Sequence, residues 1–247
     1  VPALRHSDRL RRLERVRQPV EKHLGVSTLQ GLARGWRLLY PKLRALQKQQ
    51  VDPLQDWYDS WSVEFAEMLL AALEGAAATL SETETAFWAG YAAGGSQLVL
   101  DPHEIVTAYN QSIGAKIGVN GRGYQIAETT RDRVREAVSA WHADPDMTIA
   151  DLSDSLSQWF APSRAQLIAR NEVTALSSAT TRTLMDKLGV GRWTWQTRLE
   201  FNVCDICRPL HGKVFTVNDP MPPDASHIGC MCMAAPLIEG APEPLGL

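Results

Sequence analysis

All four cysteines of this chain fall between Cys204 and Cys232, and their spacing constrains the fold more than any other feature. Cys204 and Cys207 form a Cys-x-x-Cys pair. After 22 residues Cys230 and Cys232 follow as Cys-x-Cys, with His227 three positions before Cys230. A Cys-x-x-Cys turn lets two thiolates converge on one tetrahedral ion, and a second Cys/His group brought alongside by a hairpin completes it. Five donors therefore compete for four places around a structural zinc. The preferred set is Cys204, Cys207, Cys230 and Cys232, with His227 as the alternate fourth ligand if one cysteine of the Cys-x-Cys pair points away. Four cysteines also admit three disulfide pairings, or no bond at all if they serve as small buried hydrophobes. A disulfide-dense secreted scaffold is excluded by so few cysteines in 247 residues.

Upstream of the cluster the hydrophobic pattern is helical. Trp57, Trp61, Phe65, Met68, Leu69 and Ala72 recur at steps of three and four. Ser81-Glu82-Thr83-Glu84 reads as a capping box opening a further helix that ends at Gly94-Gly95. Asp101-Pro102-His103-Glu104 starts the next, toward Ile117, and Gly118 to Gly123 reads as a loop. Ile126, Thr130, Val134, Val138 and Trp141 share a face. After Asp144-Pro145-Asp146, Thr148 to Asp151 forms another capping box. Beyond Pro162, Ser163 and Gln166 are candidate caps for a long helix ending at Gly189, where a left-handed residue belongs.

At Gly189 the period changes from 3.6 to 2. Trp193, Trp195, Thr197 and Leu199 alternate with polar neighbours as in a half-exposed strand, and Lys213–Val217 and Cys230–Ala234 are shorter strand candidates. The expected class is α+β, a mainly helical body with a small C-terminal zinc-stabilised β module. Its divisions are a basic N-terminal helical arm (1–50), the helical body (51–189), the β/zinc module (190–236) and an extended tail (237–247).

The arm is distinguished by charge. Residues 1–48 carry a net +9 and the remainder −12, so an overall charge of −3 hides a basic segment on an acidic body. Arg5, Arg9, Arg11, Arg12, Arg15 and Arg17 are the candidate polyanion-binding residues, with packaged DNA or an acidic protein surface as partner. The alternative is a solvated helix face folded back on its own body. The most apolar stretch, Val63–Leu80, contains Glu64, Glu67 and Glu74, which excludes a membrane span there. The arginine-rich start has no apolar run, so no secretory leader is expected at Val1–Arg17.

Catalytic signatures are absent from the pattern. No His begins a His-x-Glu, His103-Glu104 lacks the second His of a zincin helix, and there is no Walker or dinucleotide glycine loop. A four-ligand site leaves no open position for substrate water. A non-enzymatic role is therefore expected. Glu172 lies four positions from both Ile168 and Leu176, hence beside the apolar stripe. Such an acid needs a partner, and Arg164 and Arg170 are the candidates for a structural ion pair. His211 is expected to be a turn residue before Gly212.

The C-terminal third resembles the phage head-morphogenesis family typified by the F protein of phage Mu. The resemblance rests on Ala169-Arg170-Asn171-Glu172-Val173, Trp193-x-Trp195, Cys204-x-x-Cys207, Leu210-His211-Gly212-Lys213, and Pro222-Pro223 leading to His227-x-x-Cys230-x-Cys232. It covers residues 163–236, with weaker support back to about residue 100. The family's usual Arg-Thr-Glu stands here as Arg170-Asn171-Glu172, its Leu-Asp-Gly as Leu210-His211-Gly212, and its His-Pro-x-Cys-Arg-Cys as His227-Ile228-Gly229-Cys230-Met231-Cys232. Its acid before the first Cys would be Glu200 at best. The resemblance implies a minor head protein at the portal vertex, partnered by the portal and other head proteins and acting in capsid assembly, DNA packaging or delivery. It also implies residence in the virion, with the host cytoplasm as the place of assembly. A metal-containing enzyme or toxin-type effector domain, or a general nucleic-acid-binding zinc protein, is the competing reading.

Overall fold

The computed structural model describes residues 6–45, 54–89, 98–112, 121–197 and 203–238. Arg5, the Gly94-Gly95 pair, Ile117, Gly118, Glu200 and the tail beyond residue 238 lie outside the described residues. Six helices are described: α1 (His6–Ala45), α2 (Gln55–Trp88), α3 (Pro102–Ser112), α4 (Gly121–Ala143), α5 (Ile149–Ser157) and α6 (Pro162–Leu188). Three strands follow, β1 (Arg192–Gln196), β2 (Val214–Thr216) and β3 (Met233–Pro236), in the antiparallel order β2-β1-β3. The molecule is thus mainly helical with a small sheet near its C-terminal end.

Several boundaries follow directly from local chemistry. Thr148 caps α5, its hydroxyl accepting from the Asp151 N–H while the Asp151 carboxylate accepts from the Thr148 N–H. Pro162 occupies the first turn of α6, where its missing N–H costs nothing, and Gly189 closes the helix at φ 65°. The cap of α6 is Ala161, not Ser163, which lies exposed in the first turn.

Ser81–Glu84 opens no helix, because α2 runs through it. Its polar groups are spent on tertiary partners instead: the Ser81 hydroxyl donates to the Leu100 carbonyl, and Glu84 accepts from Arg9 and Trp88. Gly121 and Gly123 belong to α4 rather than to a loop. A Cβ on Gly123 would lie 2.4 Å from the Ala66 Cα, so glycine is what lets α4 cross α2 this closely.

The described part of residues 1–50 is not a free arm. Helix α1 packs on both α2 and α6, burying Leu13, Val20, Leu24, Leu32, Leu39 and Leu43. At Gly31 and Gly35 its backbone is bare enough for two indoles of α2 to lie on it. Trp61 donates to the Gly31 carbonyl and Trp57 to that of Gly35, both at 2.9 Å, and the two rings stack with centroids 5.1 Å apart.

Strand β1 was expected to be half exposed, yet Trp193–Gln196 are all buried. It is the central strand, and Trp193 and Trp195 share a second core with Phe215, Met221 and the cysteines. Strands β2 and β3 are shorter than expected, and β3 starts after Cys232.

Candidate metal centre

Two turns present the donors. In the first, the Cys207 and Arg208 N–H groups donate to the Cys204 carbonyl at 3.1 and 2.9 Å, and the Cys207 N–H also faces Cys204 Sγ at 3.4 Å. In the second, the Cys230 N–H donates to the His227 carbonyl at 3.1 Å across Gly229, which sits at φ 77°. A side chain at Gly229 would be strained and would press on Leu167 at 3.0 Å.

His227 Nε2 lies 3.1 Å from Cys204 Sγ and 3.5 Å from Cys207 Sγ, and Cys207 Sγ is 3.7 Å from Cys230 Sγ. The five donors form two triads sharing Cys207: Cys204/Cys207/His227 and Cys207/Cys230/Cys232, each with its donor atoms within 4.8 Å of one another. A tetrahedral ion with metal–sulfur bonds near 2.3 Å separates its sulfurs by about 3.8 Å, so these spacings suit a metal. His227 Nδ1 faces the Ile228 carbonyl at 3.0 Å. A proton held there leaves Nε2 with its lone pair toward the sulfurs. The structure therefore brings together all five donors picked from the sequence, and they can hold a metal ion.

The thiols divide the protons unequally. A hydrogen bond from Cys232 pulls Cys230 down to about 5, while the same bond pushes Cys232 up. Burial, with the neighbouring thiols, raises Cys207 to about 12. At Cys204 the effect of burial is outweighed by the Cys207 N–H and thiol, which lower it. The Cys232 N–H also faces Cys230 Sγ, at 3.4 Å.

What holds these loops is a polar row on α6. The Asn171 carboxamide oxygen accepts from the Gly229 N–H at 3.3 Å, Thr174 donates to the Cys230 carbonyl at 2.6 Å, and Ser178 donates to the Pro222 carbonyl at 2.5 Å. Arg182 reaches the Val217 carbonyl at 2.8 Å. These residues recur at steps of three and four, so one helix face satisfies the backbone of an irregular segment that has few ladders of its own. Sequence reasoning missed this row, although small hydroxyls at helical spacing along an otherwise buried helix are its signal.

Glu172 pairs with neither Arg164 nor Arg170. It is 1% exposed and takes both guanidinium arms of Arg122, at 2.7 and 3.0 Å, together with the Tyr109 hydroxyl and the Asn171 amide. Burial and the Glu172 charge push the Tyr109 phenol well up. Arg164 instead donates to the Trp159 carbonyl and the Thr130 hydroxyl, with burial lowering it to about 10. Arg170 pairs with Glu21 at 3.2 Å. The correction has a geometric cause: Arg164 and Arg170 lie on other faces of α6, whereas Arg122 arrives from the first turn of α4.

The polyanion candidates also divide. Arg9 and Arg17 are 1% and 3% exposed, turned inward by the apolar stripe they occupy, and are unavailable to a polyanion. Arg9 forks onto Glu84, and Arg17 donates to the Met231 carbonyl at 3.1 Å and to Thr174. Arg11 and Arg15 are exposed, and Arg12 is half-buried. His211 is a turn residue whose Nδ1 accepts from the Thr197 N–H at 3.1 Å.

No helix among the described residues is long and apolar enough to cross a membrane. The chain matches no curated protein and no solved structure. Residues 119–235 match the family described as Phage Mu protein F like protein, a span that takes in α4, α5, α6, the polar row and the whole donor cluster. The match supports a likeness of this part of the chain to the phage head-morphogenesis family, and it includes the 163–235 stretch that carries the motifs.

Proposed function

We propose that the protein is a minor head protein acting at the portal vertex, in capsid assembly and in DNA packaging or delivery, and that it works as a structural component rather than an enzyme. The observation that carries this reading is the family match over residues 119–235, which includes every donor of the candidate metal centre. We assign the centre to a structural zinc held by Cys204, Cys207, Cys230 and His227, with Cys232 beside Cys230 as the alternate fourth ligand. The close approach of His227 Nε2 to two sulfurs supports the histidine as fourth ligand. Four protein ligands fill a tetrahedral ion and leave it no catalytic position. Mass spectrometry of purified virions and of assembly intermediates, with cross-linking to the portal, tests the role. Recovery of the chain in heads and in portal cross-links is expected; its absence from every stage would overturn the reading.

A second reading, packaged DNA as a partner, rests on the outer side of α1. Arg11, Arg15, Lys22, Arg37 and Arg44 are exposed and fall within a sector of about 80° along about 50 Å of helix, with no acid among them. Binding of the full chain to duplex DNA should weaken steeply with salt, and reversing Arg11 and Arg15 to Glu should flatten that dependence. Affinity that ignores both salt and substitution removes DNA from the list of partners.

A further inference from the structure

The two arginines that turn inward from α1 converge on a single stretch of the metal segment. Arg17 donates to the Met231 carbonyl and to Thr174, whose own hydroxyl donates to the Cys230 carbonyl. Arg9, held by Glu84, lies 3.5 Å from the Ala234 carbonyl, which Thr181 also approaches. The residues so gripped, 230–234, include Cys230 and Cys232. The grip comes from outside the family-matched span.

Two features mark the first turns of α1 as separable from the rest. Pro19 cannot donate to the Arg15 carbonyl, so the helix has a weak point two residues past Arg17. Beyond that point an open cleft of about 540 Å³, lined by Gln18, Glu21, Lys22, Gly25, Arg170 and Met231 among others, parts α1 from the start of α6. On this side Arg17 holds the metal segment by the Met231 carbonyl.

We propose that residues 6–18 are a strap latched onto the metal segment by Arg9 and Arg17, so that metal binding and strap docking stabilise each other. This rests on the reading of the cluster as a metal site. The carbonyls of Met231 and Ala234 meet the strap directly, and that of Cys230 through Thr174, only when the segment holds the path that also aims the Cys230 sulfur. A site of three thiolates and a divalent ion carries net charge −1, which favours a guanidinium at the neighbouring carbonyls. Linkage makes the effect reciprocal: if the metal tightens the strap by some factor, the docked strap tightens the metal by the same factor. A hydrogen bond from a charged donor sets that factor between about tenfold and about a hundredfold.

The test uses the full chain and zinc alone. Zinc affinity is measured by competition with a chromophoric chelator for the native chain, Arg17→Gln and Arg17→Lys, and amide exchange is followed across residues 6–18 before and after chelation. Support is a loss of zinc affinity of about tenfold or more in Arg17→Gln, a smaller loss in Arg17→Lys, which keeps the charge without the fork, and exchange in 6–18 that rises about tenfold on chelation while α2 and α4 stay protected. If Arg17→Gln does not fold, the lysine variant and the native exchange data decide. Zinc binding with unchanged exchange in 6–18 and native affinity in the variants overturns the strap and leaves the metal reading standing. A native chain that binds no zinc overturns both.

Discussion

Replacing Gly31 or Gly35 with alanine should destabilise the protein, although helix propensity alone says the opposite. A glycine inside a helix costs about 1 kcal/mol relative to alanine, so on that count each substitution is a gain. The seam between α1 and α2 reverses the sign. A Cβ at Gly35 would stand 2.6 Å from Trp61 Nε1, and one at Gly31 would stand 2.5 Å from Phe65 Cδ2. Neither ring can swing aside, because Trp61 is fully buried, stacked on Trp57 and in contact with Phe65. Overpacking of this kind costs about 1–3 kcal/mol, and moving Trp61 off the Gly31 carbonyl loses about another 1 kcal/mol. The net expectation is about 1–3 kcal/mol of destabilisation for Gly35→Ala and about 0–2 kcal/mol for Gly31→Ala, whose Cβ meets Phe65 rather than Trp61. Gly75 supplies the control: it lies inside α2 with nothing within 4 Å of an added Cβ, so Gly75→Ala should stabilise by up to about 1 kcal/mol. Urea midpoints at constant slope measure all three, and the differences should appear as roughly 2–4 °C of melting temperature per kcal/mol. If Gly31→Ala and Gly35→Ala stabilise as Gly75→Ala does, the close packing of this seam is wrong.

Glu172→Gln should cost about 2–4 kcal/mol in the same assay, less than a fully buried pair because Arg122 remains a quarter exposed; a change below about 0.5 kcal/mol would contradict the buried network. Reductively purified protein should contain about one zinc per chain, and chelation should abolish the near-ultraviolet signal of Trp193 and Trp195 while leaving most far-ultraviolet helical signal. Absence of metal together with four titratable thiols refutes this. The Thr148 hydrogen bonds hold the Asp151 carboxyl below its ordinary value, so the capping box contributes fully above about pH 4 and is lost as pH falls through the lower folded value. Asp151→Asn should therefore flatten part of the acid limb of the stability curve, and an unchanged limb rules out that contribution.

The legible parts of the fold were those whose cause is local. Asp101-Pro102, Thr148–Asp151 and Gly189 all mark helix ends, because a cap, a missing donor or a left-handed residue acts within one turn. Ser81–Glu84 carries the same letters and marks nothing, since its side chains reach Leu100 and Arg9, partners 19 and 75 positions away. The donors of the metal centre were legible because their spacing is itself a constraint; Arg122 as the partner of Glu172 was not, since 50 residues separate them. Charge counting mistook Arg9 and Arg17 for surface groups, although a better signal was present. With Leu13, Val20 and Leu24 they form one run at steps of four, four, three and four, the stripe of a buried face.

The approach of α1 to α6 bears on what can be inherited as a unit. At Gly25 an added Cβ would sit 3.6 Å from Ala169 Cβ, and Ala165, Ala169, Val173 and Leu176 form a shallow row that α1 helps to cover. The family-matched span begins after α1 and α2, yet this row would face water without a covering helix. A gene segment cut at that boundary encodes the donors and the helix that holds them, and leaves the helix with its greasy side open. Whatever chain precedes such a segment must bring its own roof. What this contact demands of the roof is room more than chemistry: a small residue such as Gly25 where it comes down on Ala169.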